Sequence, residues 1–592
     1  MSLYSSFYSN LEDGPNNITG EDGVMGQLTP ELELTTSDEE LLKMAKQWKL
    51  NYAPYEKEIR TAQDENVDYW RGVHFEAESY SRYNKPIQEN RIFADIETFL
   101  PIATRQRPEP LVSAEENSEE ADQVAKMLLF QTDRQKLSLK GKKATRYWAL
   151  YFIGCAKIGW SEVENDIKTT ILKPTKLILD PHATVDEDGY SGSYVGERRE
   201  ATAAELEKQF PEKKKEIKER VGKKKGTKMR FTEWWTNDFV FWTLDDKLVL
   251  GKLRNPHWNY KTKKPRSILD DGDLTEDFQL KNHFKIPSMP YRFLTVFNIG
   301  DRPHDSANLI QQNIPTQDRL NERHQQIDKN VRGMNAGGMV SGEAFSQSEA
   351  QEAADAVERG DWVLVPPGVP LNEAFSRYTG VALPPDVFNN VLDMRGQMDN
   401  LFGIHGTTRG ERSGPETLGG RMLLKNADAD RITFISDYLE QFYDDIFNYW
   451  VQMMYVYYSD EHIATILGEG KNPEKIKISR AMLNDIPSLL VSVREGSMIP
   501  KDPMLKRNEA VQLYQLGALD PITLHERLDF PNPHESAKRL YLWQNAPQML
   551  FPDTELPPPV EGQQGGAVGS ENPAVAINNA LSPNGAPQAS PA

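Results

Sequence analysis

The sequence predicts an α+β protein built from several units. Three observations carry that expectation. The chain has 592 residues, too many for one ordinary core and enough for about three or four structural units. Long stretches place apolar residues three and four apart, as amphipathic helices do. Between them lie aromatic and β-branched runs split by Asn-Asp and Asp-Asp turns, as antiparallel strands are. Hydrophobic residues make up 38% and charged residues 27%, with 11 Trp, 22 Tyr and 23 Phe, so there is material for real cores.

No Lys or Arg precedes Lys43, and the first forty or so residues are expected to be a loosely held acidic arm. Helical patterning starts near Ser37, where "SDEELLKMAKQW" supplies a cap, first-turn acids and an apolar stripe. "NRIFADIETFLPIATRQRPEP" predicts a helix that stops at its prolines. "LKGKKATRYWALYFIGCAKIGWSEVE" predicts a helix, a glycine stop and a strand, and "TTILKPTKLILDPHAT" further strands and a turn. "FTEWWTNDFVFWTLDDKLVLGKL" predicts hairpins. The lysine-rich insert "EKKKEIKERVGKKKGTKMR" has no aromatic interleaving before Phe231, so a solvated helix and loop is the better reading than a nucleic-acid patch.

From Pro303 the texture changes. "DSANLIQQNIPTQDRLNERHQQIDKNVRG" carries only Ile310, Ile314, Leu320, Ile327 and Val331 on an otherwise polar helix, with a kink expected near Pro315. Such a helix has little to bury within its own subunit. "GMNAGGMVSG" stops it, and a compact insert follows from Glu343 to Leu383, with a short Ala/Glu helix and a strand bearing a Pro-Gly turn. "PPDVFNNVLDMRGQMDNLFG" predicts a helix of about 28 Å. Met422 to Tyr457 predicts one of about 55 Å. A strand at "IPSLLVSVREGSMIP", a set of short helices and a Pro/Gly/Ala-rich tail expected to be disordered complete the chain.

Composition and motifs narrow the function. A formal net charge of −19 argues against a tight static nucleic-acid binder, which carries a basic excess, so any DNA contact should be local or weak. One cysteine, Cys155, permits no intrachain disulfide and fits a reducing compartment, and its apolar neighbours predict a buried, inert thiol. The N-terminus lacks the order of a signal peptide. "FNYWVQMMYVYYSDEH" is too short and too aromatic to span a bilayer, so a soluble protein is expected. The loop "FGIHGTTRGERSGPETLGGRM" resembles a phosphate cradle at first sight, but its glycines lack the Walker frame. "GGMVSG" is no nucleophile elbow. His257, His283, His304, His324 and His405 form no metal spacing, and "DEDG" at 186–189 is a turn rather than a calcium loop. No enzyme activity, cofactor or metal is expected.

The order of pieces resembles the portal proteins of tailed bacteriophages, in particular those of short-tailed phages. The likeness spans roughly residues 40–548. It rests on "NRIFADIETFLPIATRQRPEP" before the first wing strands, on "GCAKIGWSEVE" and "LKPTKLILDPHAT" as a strand pair with its Asp-Pro turn, and on "FGIHGTTRGERSGPETLGGRM" leading into a very long helix. "VREGSMIP" and "DPITLHERLDFPNP" resemble the entry to the crown.

The resemblance implies an acidic arm and first helix (1–60), a mixed α+β wing (61–302), a two-helix stem (303–332 and 384–402) and a small α/β clip (333–383). It further implies a tunnel loop (403–414), the wing's long helix and strand (415–500), a helical crown (501–548) and a tail (549–592). It implies a homo-oligomeric ring, typically a dodecamer, at one vertex of the virion capsid, assembled in the host cytoplasm. Double-stranded DNA would be packaged and ejected through the ring without sequence preference. The partners implied are the terminase large subunit, head-completion and tail adaptor proteins, and the major capsid and scaffolding proteins, with no membrane. His405, Thr407, Thr408, Arg409 and Arg412 would face the DNA. Phe402–Gly403 closes one helix, Ser413-Gly-Pro-Glu416 has capping-box spacing for the next, and Gly419 and Gly420 are a candidate hinge. The alternatives are a non-viral helical scaffold or adaptor without a channel, and a nucleic-acid-processing enzyme, which the missing motifs disfavour.

Overall fold

The computed structural model describes residues 34–75, 86–105, 107–114, 118–161, 163–186, 188–221, 228–260, 262–263, 277–278, 282–300, 302–334, 338–340, 346–359, 367–368, 370, 375–377, 383–404, 418–458, 462–467, 473–479, 482–483, 489–494, 503–528, 530 and 532–545. It is an α+β structure of two compact units. The first holds all the described elements up to His462 and the segment after Lys477 that carries the strand Leu489–Val493.

Its heart is a five-stranded antiparallel sheet: Leu248–Arg254, Phe239–Leu244, Lys228–Trp235, Val195–Thr202 and Leu177–Leu179 in spatial order. The expected hairpins are there, and Asp245 and Asp246 both take left-handed backbone at one turn, which short polar side chains tolerate. Trp234, Trp235, Phe241 and Trp242 are fully buried. The first helix, Asp38–Arg71, lies against this sheet, with Trp48 stacked on Tyr194 at 4.4 Å between ring centres. Its start is the predicted cap at Ser37, which with Glu40 forms a reciprocal capping box. It runs unbroken past Pro54, so the division expected after residue 60 falls inside it.

A three-stranded antiparallel sheet, Tyr291–Leu294, Gly154–Ser161 and Asp166–Leu172, forms beside it. The two sheets meet at a buried charge cluster. Glu197 and Glu233 sit directly across from each other on neighbouring strands, an arrangement that repels. Lys157 from the smaller sheet enters between them, 2.6 Å from Glu197 and 2.8 Å from Glu233. Burial works to lower the Lys157 pKa, but the two carboxylates outweigh it and hold it above the ordinary lysine value. Cys155, on the same strand, is buried, and burial pushes its thiol well up.

The helix Leu418–Tyr457 has 40 residues, about 60 Å. Its second half is buried nearly all round, from Phe442 to Tyr458. Gly141, on the helix Leu137–Tyr151, lets it approach: a Cβ there would meet the Tyr443 hydroxyl at 1.8 Å. Pro110–Ala114 pairs antiparallel with Leu489–Val493, joining distant parts of the chain.

Several local expectations are corrected. The helix Arg91–Ala103 does not stop at Pro101 but ends two residues later. The helix before Gly154 is closed by Phe152 in left-handed backbone, while Gly154 opens the strand. The lysine-rich insert does contain a helix, Lys214–Val221, seated through buried Ile217. The Pro-Gly turn of the insert after the polar helix is present at Pro367–Gly368. The strand expected just before that turn lies outside the described residues, and Phe375–Arg377 pairs instead with Gly338–Val340. The acidic arm to residue 33 and the tail beyond residue 545 also lie outside them.

The second unit contains most of a hairpin, His462–Leu467 with Pro473–Ile478, and the helices Pro503–Gln515, Pro521–Arg527 and Pro533–Asn545. Asp520 caps the middle helix by accepting from the Ile522 and Thr523 amides.

Candidate functional site

The polar helix Leu309–Met334 begins at Asn308, whose carboxamide oxygen accepts from the Ile310 and Gln311 amides. Ile310, Ile314 and Leu320 are buried as expected. So, against expectation, are Asn313, Gln317 and Asn321. The polar face is not bare within the subunit, because the segment leading into Arg91–Ala103 lies across it. Gln317 accepts from the Arg91 and Ile92 amides at 3.1 and 3.4 Å, two of the donors that the start of that helix leaves open. It donates to the Glu89 carbonyl at 2.6 Å. Asn321 accepts from the Glu89 amide and meets the His74 ring at 3.0 Å. Tyr69 donates to Asp318 at 2.6 Å. Pro315 sits inside the helix without ending it.

The helix Pro385–Phe402 returns alongside. Val391, Met394, Met398 and Phe402 are buried. Gly403, at φ 68, caps its end: the Gly403 amide donates to Asn400 and the Ile404 amide to Asp399. The two helices run antiparallel. Arg323 reaches Asn390 near one end, while Gln317 and Asp399 share Arg91 near the other.

Ion pairs lock this junction. Arg91 grips both oxygens of Asp399 at 2.6 and 2.7 Å and lies 3.3 Å from the buried Asp95. Glu89 accepts from Arg395 at 2.7 Å and meets His324 at 2.8 Å. Burial works to raise the Glu89 pKa, but these two partners hold it below the usual value. Burial pushes the Asp95 carboxyl up to about 8; Arg91 opposes this and Asp399 adds to it.

The returning helix has three distinct faces. One is the buried apolar face. A second is an exposed polar stripe of Asp386, Asn389, Asp393, Gln397 and Asn400. The third carries exposed Phe388 (50%) and Leu392 (61%), followed at helical spacing by Gly396, beside which a Cβ would meet only open space.

His405, Thr407, Thr408, Arg409 and Arg412 lie outside the described residues, as does the Ser413–Glu416 capping box. Gly419 and Gly420 lie in the first turn of the Leu418–Tyr457 helix. Glu89, Arg91, Gln317 and Asp399 were not singled out in the sequence. The available signal was the i, i+4, i+8 run of Asn313, Gln317 and Asn321 flanking Ile310, Ile314 and Leu320. His257 is buried, and burial pushes its pKa down to about 3; its Nδ1 lies 2.8 Å from the Tyr449 hydroxyl. Among the described residues there is no group of three or more His, Cys, Asp or Glu that could hold a metal, and no helix long and apolar enough to cross a membrane.

A polar helix pair, anchored by charge and carrying an unpartnered apolar flank, describes a subunit built for assembly rather than a catalytic pocket. Residues 46–576 match the phage P22-like portal protein family. The match covers most of the chain, and the chain belongs to that family. Its role is that of a phage portal protein, a structural component of the virion capsid, and membership implies an oligomeric ring with capsid and DNA interactions. No curated protein matches it.

Proposed function

We propose that the chain forms a closed ring, typically a dodecamer, whose axial channel conducts double-stranded DNA into the capsid during packaging and out during ejection. Residues 303–332 and 384–402 are its stem. Residues 333–383 are the clip that docks the terminase large subunit and later the head-completion and tail adaptor proteins. Residues 61–302 and 415–500 form the wing, 501–548 the crown, and major capsid and scaffolding proteins surround the ring. The subunits assemble in the host cytoplasm.

The three-faced returning helix is the observation that carries this reading. Its buried face serves the subunit. Its apolar flank at Phe388 and Leu392 suits a neighbouring subunit, since exposed apolar area of this kind marks an association surface. Its stripe of Asp386, Asn389, Asp393, Gln397 and Asn400 suits the lumen. Duplex DNA carries one negative charge per about 1.7 Å, and a basic wall would hold it fast; an acidic and amide wall lets it slide. Arg409 and Arg412, with His405, Thr407 and Thr408, supply the local contact in the loop that leaves Gly403, and Gly419 and Gly420 give that loop its hinge.

Electron microscopy of the purified full-length chain tests the proposal. Closed rings with an axial channel are expected. Monomers or compact small oligomers, at high concentration and several salt conditions, would contradict it.

A further inference from the structure

We propose that Arg91, Asp95 and Asp399 form a protonation-dependent latch that positions the carboxy-terminal end of the Pro385–Phe402 helix. The latch stands on the described residues alone and does not depend on the channel proposed above.

One guanidinium serves two carboxyls from different helices. Arg91 Nε lies 2.9 Å from Asp399 Oδ1 and 3.3 Å from Asp95 Oδ1, and Nη2 reaches both Asp399 oxygens. The Asp95 side chain is fully buried, and the Arg91 guanidinium it shares with Asp399 holds the two carboxyls side by side. Two carboxylates sharing one guanidinium in a buried site repel, and a proton on one of them relieves that repulsion. The residue gripped also takes part in the helix's cap, because the Asp399 carbonyl accepts the Ile404 amide at 2.9 Å, just past Gly403. What holds the Asp399 side chain therefore holds the point at which the chain leaves the helix.

The surrounding charges are few and specific. Arg91 comes from the helix that carries Asp95, and Glu89 from the segment just before it. Asp399 and Arg395 come from the returning helix and His324 from the polar helix. Glu89 engages Arg395 and His324, while Arg91 serves both Asp95 and Asp399.

Burial, with Asp399 and Glu89 adding to it against Arg91, raises the Asp95 carboxyl to about 8, from about 3.9 in an unfolded chain. The folded protein thus holds a proton there that the unfolded chain has released. The resulting stabilisation is complete below about pH 4 and is lost as pH rises through about 8. Above that, two carboxylates face one guanidinium in a buried site, and the helix end is released. Glu89 behaves oppositely: its pairing is present above the ordinary glutamate pKa and is lost on acidification.

Cys155 is buried, so a cysteine introduced at exposed Asn400 in the last turn can be spin-labelled selectively in the full-length assembled protein. With Asn400→Cys, label mobility should rise as pH crosses about 8. Adding Asp95→Asn, which fixes the neutral state, should leave mobility low and flat across that range. Adding Arg91→Gln should give high mobility at every pH. Circular dichroism melts confirm folding; should Arg91→Gln fail to fold, the Asp95→Asn comparison still decides. An equal rise with Asp95→Asn, or no rise in the otherwise native protein, would overturn the latch. Normal rings with a pH-insensitive label would remove the latch and leave the channel standing, whereas a pH-switching label in protein that never forms rings would do the reverse.

Discussion

The sheet region and the proposed stem helices solve the same problem by opposite means. The sheets bury Trp234, Trp235, Phe241 and Trp242 and admit a charge cluster, Lys157 with Glu197 and Glu233, at the seam between them. The proposed stem pair buries Gln317 and Asn321 and satisfies them with the backbone of Glu89, Arg91 and Ile92 and with the His74 ring. Apolar burial tolerates exchange of one hydrophobic residue for another of similar volume, whereas a hydrogen-bonded junction tolerates almost none. A body built the first way can be a rigid support. One built the second way can hold polar helices in register while leaving their outer faces to water, DNA and neighbours.

The comparison can be broken at its strongest points first. Lys157→Met should destabilise the protein by about 3–5 kcal/mol, because it leaves two opposed glutamates buried without the lysine between them; urea unfolding followed by tryptophan fluorescence measures it. Trp234→Ala should cost about as much, 3–5 kcal/mol, through the cavity it leaves, and the same assay reads it. In the stem, Gln317→Leu adds apolar volume yet should cost about 1–3 kcal/mol for each backbone group left unsatisfied. A gain in stability there would show that the stem is held like the sheets. Leu392→Asp should change monomer stability by less than about 0.5 kcal/mol, as surface substitutions do, while weakening ring assembly in analytical ultracentrifugation. Arg409→Ala with Arg412→Ala should have the smallest effect on fold and assembly, yet alter the amount of DNA that particles package or retain. Lost assembly with an otherwise normal channel would remove those arginines from the lumen.

The same contrast explains what was legible in the sequence. The hairpins around Trp234 and Trp242 were, because aromatic and β-branched runs split by Asn-Asp or Asp-Asp turns are local signals. So were the cap at Ser37, the Gly403 stop and the long helix through Phe442 and Trp450. The burial of Gln317 and Asn321 was not. An amide bound to another segment's backbone looks, in sequence, the same as one bound to water. Nor could Asp95 be paired with Asp399, since the contact joins residues some 300 positions apart, as the Arg91–Asp399 bond shows. The pairing of Pro110–Ala114 with Leu489–Val493 was hidden for the same reason. Phe152 closed a helix where Gly154 was expected to, because tertiary packing can hold a large residue in left-handed backbone.

The central claim is that the polar stripe of Pro385–Phe402 faces DNA while its apolar flank faces another subunit. A photo-cross-linking residue placed at Gln397 or at Leu392 in DNA-filled particles tests it most directly. Adducts to DNA from position 397 and subunit–subunit dimers from position 392 are the predicted result. Dimers from 397 with DNA adducts from 392, or no DNA adduct from either, would contradict it.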